Sequence, residues 1–331
     1  MKALVTGGGG FLGGAIVRRL MARRDTVQSF SRGVYPELTR LGVNQFQGDL
    51  SDREAVIQAA KGCEIVFHVA ARTGIWGSYA DFYRANVTGT ENVVAACRYH
   101  EIKRLVYTSS PSAVFAGIDV EGGDESLPYP EHYEAHYPRT KAMAEKLVLA
   151  ANSPRLATVA LRPHLIWGPG DNHLVPRIVA RGKAGKLRRI GKRPCLVDTV
   201  YVDNAAQAHL LAADRLIPGG VIAGKAYFIS NGEPLPLWEM VNRILACAGV
   251  PPVIRCVPAR AAFVAGAVFE GLWRILRLAG EPPMTRFVAR EMATAHWFDI
   301  SAAYRDLGYT PEISIDEGLL RLKEWLSKEI R

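Results

Sequence analysis

The sequence predicts a doubly wound parallel α/β sheet with an interleaved, smaller C-terminal lobe. Three observations carry that expectation. A glycine cluster, Thr6-Gly7-Gly8-Gly9-Gly10-Phe11-Leu12-Gly13, directly follows a short apolar run at the start of the chain. Short apolar runs then alternate with helix-length segments, as strands buried on both faces do. Past Arg162 that rhythm is broken by Pro163, Pro169, Pro176 and Pro194.

Taken in order, Lys2–Thr6 reads as the first strand, the glycines as its turn and Gly13–Ala22 as the helix that follows. Thr26–Ser31 and Gln45–Gln47 are the next strands, the latter leading into Gly48-Asp49-Leu50. Ser51 and Glu54 have the spacing of a capping box, so a helix is expected to open there. Glu64–Val69, Arg104–Thr108 and Thr158–Leu161 are further strands. Asp198–Asp203 and Ala226–Ser230 are expected to return to the sheet or its edge. The division that results is residues 1–162 as one domain, with 196–231 partly returning to it. Residues 163–195 and 232–331 form the second lobe.

Composition narrows the class. The apolar fraction is 49% and the charged fraction 22%, which suits an ordinary globular protein with a large core. The net charge is +9, and much of it is local: Arg177, Arg181, Lys183, Lys186, Arg188, Arg189, Lys192 and Arg193 occur with no acidic residue between them. That stretch suits an anionic partner, a membrane surface or an acidic substrate, and equally a solvated helix and loop. It lacks aromatic interleaving and any reader motif, so nucleic acid is not expected. Five cysteines without a Cys-x-x-Cys pair imply reduced thiols, with neither metal nor disulfide. The chain enters its glycine loop at once, leaving no room for a secretory signal, and a cytoplasmic location is expected. Ala261–Leu278 is apolar but interrupted by Glu270, Arg274 and Arg277. It is expected to lie at a membrane interface (a peripheral contact), to wall a pocket for long alkyl chains, or to be a buried helix.

The glycine cluster fits two dinucleotide templates, Gly8/Gly10/Gly13 and the wider Gly7/Gly10/Gly13. Both aim backbone N–H groups and a helix N-terminus at a pyrophosphate. This makes the first domain a Rossmann domain. An NAD site normally ends its second strand in a carboxylate for the ribose 2′-OH. Here that strand ends Phe30-Ser31-Arg32-Gly33, and Ser31 with Arg32 suits a 2′-phosphate, so NADP (as NADPH) is expected over NAD. Asp49, before Leu50, is placed to bond the adenine amino group, and could equally be a turn former. Tyr137 and Lys141 sit four residues apart, on one face of a helix. An ammonium beside a phenol favours the phenolate, which would bring the phenol toward neutral pKa as a general acid or base.

With these, His68-Val69-Ala70-Ala71, Asn86-Val87-Thr88-Gly89-Thr90, Tyr107-Thr108-Ser109-Ser110 and Leu161-Arg162-Pro163 complete an ordered set. The chain thereby resembles the extended short-chain dehydrogenase/reductase family, in its 3β-hydroxysteroid dehydrogenase-like branch. The likeness continues through Arg162–His173, Tyr201–Ala206 and Ala226–Pro234. It implies catalytic roles for Ser110, Tyr137 and Lys141, with Ser109 and Ser112 as the neighbours of the serine position. It implies a cofactor site of Thr6, Gly7, Gly10, Phe11, Leu12, Gly13, Ser31, Arg32, Asp49, Leu50, Ala70, Ala71, Tyr137, Lys141 and Pro163. Asn86 would anchor a helix and a proton-relay water, or simply pack; His68 would be structural. The implied reaction is NADPH-dependent reduction of a long-chain 2-alkyl-3-oxoalkanoic acid to the 3-hydroxy acid, in olefinic hydrocarbon biosynthesis. A 3β-hydroxysteroid or sterol-4-carboxylate dehydrogenase is the alternative, a nucleotide-sugar enzyme a more distant one, and a non-catalytic NADP-binding regulator the alternative of another class. Arg72, His164 and His173 are the candidates to meet a substrate carboxylate. A homodimer and a complex with enzymes of the same pathway are the expected partners beyond the long-chain substrate.

Overall fold

The computed structural model describes residues 1–329. Its first strands are β1 (Lys2–Thr6), β2 (Thr26–Ser31), β3 (Asn44–Gln47), β4 (Ile65–His68) and β5 (Arg104–Thr108). Two more are β6 (Val120–Gly123), which lies outside the main sheet, and β7 (Ala157–Pro163). The main sheet is parallel and seven-stranded, with strand Lys225–Ile229 at one edge, then β7, β5, β4, β1, β2 and β3. The chain starts in the middle, builds to one edge, then crosses back. Connections leaving β1 and β4 therefore diverge, and a crevice opens at the carboxyl ends of those strands.

The period-two alternation of each strand feeds both faces. Ala3, Val5, Phe67, Val106, Val159 and Leu161 pack one face toward helices Phe11–Ala22 and Val202–Arg215. Leu4, Val66, Leu105, Tyr107 and Ala160 pack the other, with the buried faces of Arg53–Ala60, Gly89–Tyr99 and His136–Ala150. The second lobe has its own core, in which Ile190, Trp238, Val241, Leu245 and Ala262 meet.

Two local expectations are corrected. Helix Arg53–Ala60 is capped by Asp52, whose Oδ1 accepts from the Ala55 N–H at 3.1 Å. Ser51 instead turns back, its N–H and hydroxyl both donating to Asp49 Oδ1 at 2.9 and 2.7 Å. An Asx-type turn has taken the serine that the capping box needed. The Asp198–Asp203 segment is not one strand. Leu196–Val197 joins a separate four-stranded sheet with Leu235–Pro236, His296–Phe298 and β6. Val200–Tyr201 pairs with Ile166–Trp167 in a separate two-stranded sheet, and a helix begins at Val202. The main-sheet edge was already filled by Lys225–Ile229, the other segment expected there. All five cysteines are unpaired. Among the described residues no helix is long and apolar enough to cross a membrane.

Behind the crevice, Arg162 on β7 forks onto Glu145 with Nε–Oε2 at 3.0 Å and Nη2–Oε1 at 2.7 Å. Both side chains are almost wholly buried. The Tyr129 hydroxyl adds a third bond to Oε1 at 2.6 Å. Arg162→Met removes one partner and leaves a buried carboxylate uncompensated, so it is expected to destabilise the fold by about 3–5 kcal/mol. Urea unfolding followed by circular dichroism measures this. A loss below about 1 kcal/mol would mean that Glu145 finds another partner.

Candidate active site

The glycine loop resolves which of its residues approach a ligand. Gly7 has φ +72°, and a Cβ on it would lie 3.0 Å from the Ala70 Cα. A Cβ on Gly13 would meet the Gly7 carbonyl oxygen at 2.1 Å, which only glycine escapes. Gly7, Gly10 and Gly13 face the crevice, whereas Gly8 packs inward against Ser29. The wider spacing is therefore the one that lines the crevice. Helix Phe11–Ala22 starts at Gly10 without a side-chain cap, leaving its first N–H groups for an anion.

The crevice is a cleft of about 580 Å³ that brings together nearly all the expected residues. Phe11, Leu12, Ser31, Arg32, Asp49, Leu50, Ala70, Ala71 and Pro163 line it, with Ser110, Tyr137 and Lys141. Thr6 does not. It is fully buried, and its Oγ1 accepts from the N–H groups of Val69 and Ala70 at 3.1 and 3.2 Å. Its role is to tie β1 to the β4 turn from behind the loop.

From Thr6 a buried polar thread runs across the sheet. His68 Nδ1 lies 2.8 Å from Thr6 Oγ1, and Nε2 lies 2.9 Å from Thr90 Oγ1. The Thr90 hydroxyl donates to the Asn86 carbonyl at 2.6 Å. Asn86, in a π-helical turn over Arg84–Thr88, clamps Arg72 through both its N–H and carbonyl. Its Nδ2 also reaches Thr140 Oγ1 at 3.1 Å, on the helix that carries Tyr137. Burial, with the Lys141 ammonium as a second cause, pushes His68 down to about 3. The ring is neutral and structural. The Asn86 side chain is wholly engaged in packing the site.

Helix His136–Ala150 presents Tyr137 and Lys141 to the cleft, but not as an adjacent ammonium and phenol would suggest. Lys141 Nζ donates to the Thr108 carbonyl at 2.6 Å and sits 4.3 Å from the Tyr107 ring centre. Burial lowers it to about 7, against the opposing pull of Glu145. Tyr137 is pushed up to about 12 by burial, which outweighs the lowering effect of the Ser110 hydroxyl; Glu291 adds to the rise. The expected drop toward neutrality is thus reversed in the protein alone. At neutral pH Tyr137 therefore keeps its proton. Ser110 caps the short Pro111–Val114 turn, accepting from the Ser112 N–H at 3.2 Å and the Ser112 hydroxyl at 2.9 Å.

The facing wall comes from the second lobe and contains residues the sequence did not single out: Phe287, Glu291, His296 and Phe298. Burial raises the Glu291 carboxyl to about 7. Asp198 Oδ1, His164 Nδ1 at 2.5 Å, His164 Nε2 to His296 Nδ1 at 3.2 Å, and His296 Nε2 to the Glu291 carbonyl at 2.9 Å form one line. Both His164 nitrogens are committed within it. The Arg72 guanidinium lies over the Phe82 ring at 5.2 Å, near Asp81, and His173 stands exposed at the cleft rim.

The residues present fit a dinucleotide. Gly7 and Gly13 make a cradle that any side chain would fill, and the buried Ser31 Oγ beside Arg32 has no hydrogen-bond partner among the described residues.

Comparison with known proteins agrees. The family model described as the 3-beta hydroxysteroid dehydrogenase/isomerase family matches residues 4–256. A Stenotrophomonas maltophilia protein named 2-alkyl-3-oxoalkanoate reductase is 55% identical, over 98% of both chains. The mouse sterol-4-alpha-carboxylate 3-dehydrogenase, decarboxylating, is 34% identical over 97% of this chain and 89% of its own. Among solved structures, the Thermus thermophilus UDP-glucose 4-epimerase, in complex with NAD, superposes with a TM-score of 0.75 at 25% identity, over 99% of each chain.

Three buried histidines, His68, His209 and His296, have values lowered to about 3, 4 and 4 against 6.5 in the unfolded chain. Between those limits the unfolded chain binds more protons, so their stabilisation is complete above pH 6.5 and is lost as pH falls. Urea unfolding at pH 7, 6 and 5 is expected to show a net decline in stability, by up to about 1.4 kcal/mol per pH unit for each histidine, offset by the raised Glu291 carboxyl, which favours the folded state as pH falls through the same window. A flat profile contradicts the neutral assignments.

Proposed function

The chain belongs to the 3-beta hydroxysteroid dehydrogenase/isomerase family, and from that premise we propose that it reduces the C3 ketone of a long-chain 2-alkyl-3-oxoalkanoic acid, using NADPH, to the 2-alkyl-3-hydroxy acid. It is an oxidoreductase acting between C=O and CH–OH on a short-chain dehydrogenase/reductase fold. The observation that carries the substrate reading is the cleft itself: Ser110 and Tyr137 face a wall of Phe115, Phe287 and Phe298. Apolar aromatic walls suit alkyl chains better than the hydroxyl-rich ring of a sugar diphosphate. The Stenotrophomonas relative, covering nearly the whole chain, supports the same substrate.

When bound, NADPH would supply the hydride. The protein's own groups do the rest. Ser110 donates to the ketone oxygen and holds it beside the phenol. Tyr137, kept protonated by burial, gives its proton to the oxygen as negative charge develops there. Lys141, fixed on the Thr108 carbonyl, would hold the nicotinamide ribose. Gly7, Gly10 and Gly13 with the Phe11–Ala22 N-terminus would hold the pyrophosphate. Ser31 and Arg32 would take the 2′-phosphate, and Asp49 the adenine. Lowered by its bonds from Ser51, Asp49 is ionised at neutral pH and accepts rather than donates.

A matched pair of assays tests this reading. A 2-alkyl-3-hydroxy acid with NADP⁺ is expected to be oxidised, and a 4-carboxysterol with NAD⁺ is expected to be inert. The reverse pattern overturns the reading in favour of the sterol enzyme. Tyr137→Phe is expected to cut kcat by about 10²–10⁴ with NADPH affinity kept. Equal turnover in that variant contradicts Tyr137 as the proton donor, and absence of turnover in the parent while NADPH still binds points to a non-catalytic cofactor-binding protein. Arg32→Ala is expected to weaken NADPH about 10- to 100-fold, with NADH affinity unchanged. Equal loss for both cofactors contradicts the 2′-phosphate assignment.

A further inference from the structure

Helix Ala259–Ile275 is apolar on two opposite faces. Inward, Ala262 and Gly266 are buried, and a Cβ on Gly266 would lie 2.6 Å from the Thr285 carbonyl carbon. Glu270 on that face is held by Arg286, through its N–H at 2.8 Å and its guanidinium. Outward, Val264, Val268, Leu272 and Ile275 fall within about a quarter of the circumference at 3.6 residues per turn. They stand 60%, 55%, 43% and 80% exposed. Leu276 and Leu278 extend the stripe past the helix end. A contiguous exposed apolar patch of this kind marks an interaction surface.

The basic stretch of the sequence is tied to both ends of this helix. At its start, the Arg189 N–H donates to the Arg255 carbonyl at 2.8 Å, and the Gly191 N–H to Val257 at 2.9 Å. At its end, Arg177 pairs with Glu281 at 3.1 Å, and Arg181 donates to the Pro283 carbonyl at 3.1 Å. Lys183, Lys186, Lys192, Arg255, Arg260 and Arg277 are exposed and, among the described residues, make no ion pair. The same helix end borders the cleft mouth. Arg274 lies 5.5 Å from the Trp76 ring centre, and a Cβ on Gly74 would come within 3.2 Å of Glu281 Oε1. Thr73, Gly74 and Ile75 line the cleft.

We propose that this face seats the protein on an anionic lipid bilayer, with the apolar stripe at the acyl boundary, the lysines and arginines at the headgroups, and the cleft mouth at the membrane plane. Charge selects the occupant. A second copy meeting this face symmetrically would bring the same positive charges against themselves. An anionic bilayer supplies both an apolar layer and negative headgroups. Delivery of a two-chain substrate through the mouth rests on the functional reading above; the docking does not.

Flotation of the full chain with vesicles tests it without any substrate. The protein is expected to float with phosphatidylcholine–phosphatidylglycerol vesicles at low salt, to float poorly with phosphatidylcholine alone, and to be released as salt rises. Val268→Asp with Ile275→Asp, both exposed, is expected to abolish flotation while circular dichroism and NADPH binding stay as in the parent. Arg260, Arg277 and Lys186 changed together to Gln are expected to weaken binding roughly a hundredfold. Absence of flotation, or flotation unaffected by both variants, overturns the proposal. So does sedimentation showing a parent dimer that the aspartate variant loses, since a second copy would then cover the face.

Discussion

The site hangs on one buried hydrogen-bond thread, Thr6–His68–Thr90–Asn86–Thr140. Each donor in it has one direction available. The Val69 and Ala70 N–H groups donate to Thr6 Oγ1, which therefore gives its own proton to His68 Nδ1. A neutral His68 then donates from Nε2 to Thr90, whose proton goes to the Asn86 carbonyl. Asn86 spends its side chain on Arg72 and Thr140. The glycine loop, the β4 turn and the Tyr137 helix are thus registered to one another without a charge. A buried network of this sort fixes geometry only when every member is satisfied.

Around the neutral thread the charged groups are few. Lys141 is buried, yet held by a carbonyl and an aromatic face. Arg162 and Glu145 cancel beneath it. On the opposite wall Asp198, His164 and His296 are joined in one hydrogen-bonded line that ends on the Glu291 carbonyl. The cleft therefore offers a protonated phenol opposite a wall in which Phe287 and Phe298 stand beside Glu291 and His296. In that setting a positioned proton donor stabilises a developing alkoxide far better than it does in water.

Local features were legible in the sequence because their physics is local. A glycine whose Cβ would strike a carbonyl at 2.1 Å announces itself at Gly13, and the alternating core strands declare a parallel sheet by their apolar runs. The basic stretch and the apolar Ala261–Leu278 segment were also visible, but their adjacency was not, since a short two-stranded pairing joins them. Ser51 misled because its hydroxyl had a nearer partner in Asp49. The Tyr137–Lys141 spacing correctly put both on one helix face, yet spacing does not say where a four-carbon stem ends. Nζ ends on Thr108, and burial then governs Tyr137. Glu291 and His296 carried no signal at all. They reach the cleft only because the second lobe folds back over it.

Whether the thread acts as a unit is best measured by a double-mutant cycle on its two ends, Thr6→Val and Thr140→Val, read as unfolding free energy. The two residues sit on different elements, so independent effects would add within about 0.5 kcal/mol. The account predicts a coupling of about 1 kcal/mol or more, because either change leaves the shared line incomplete. Strict additivity would contradict it and leave the glycine loop and the Tyr137 helix as separately built parts.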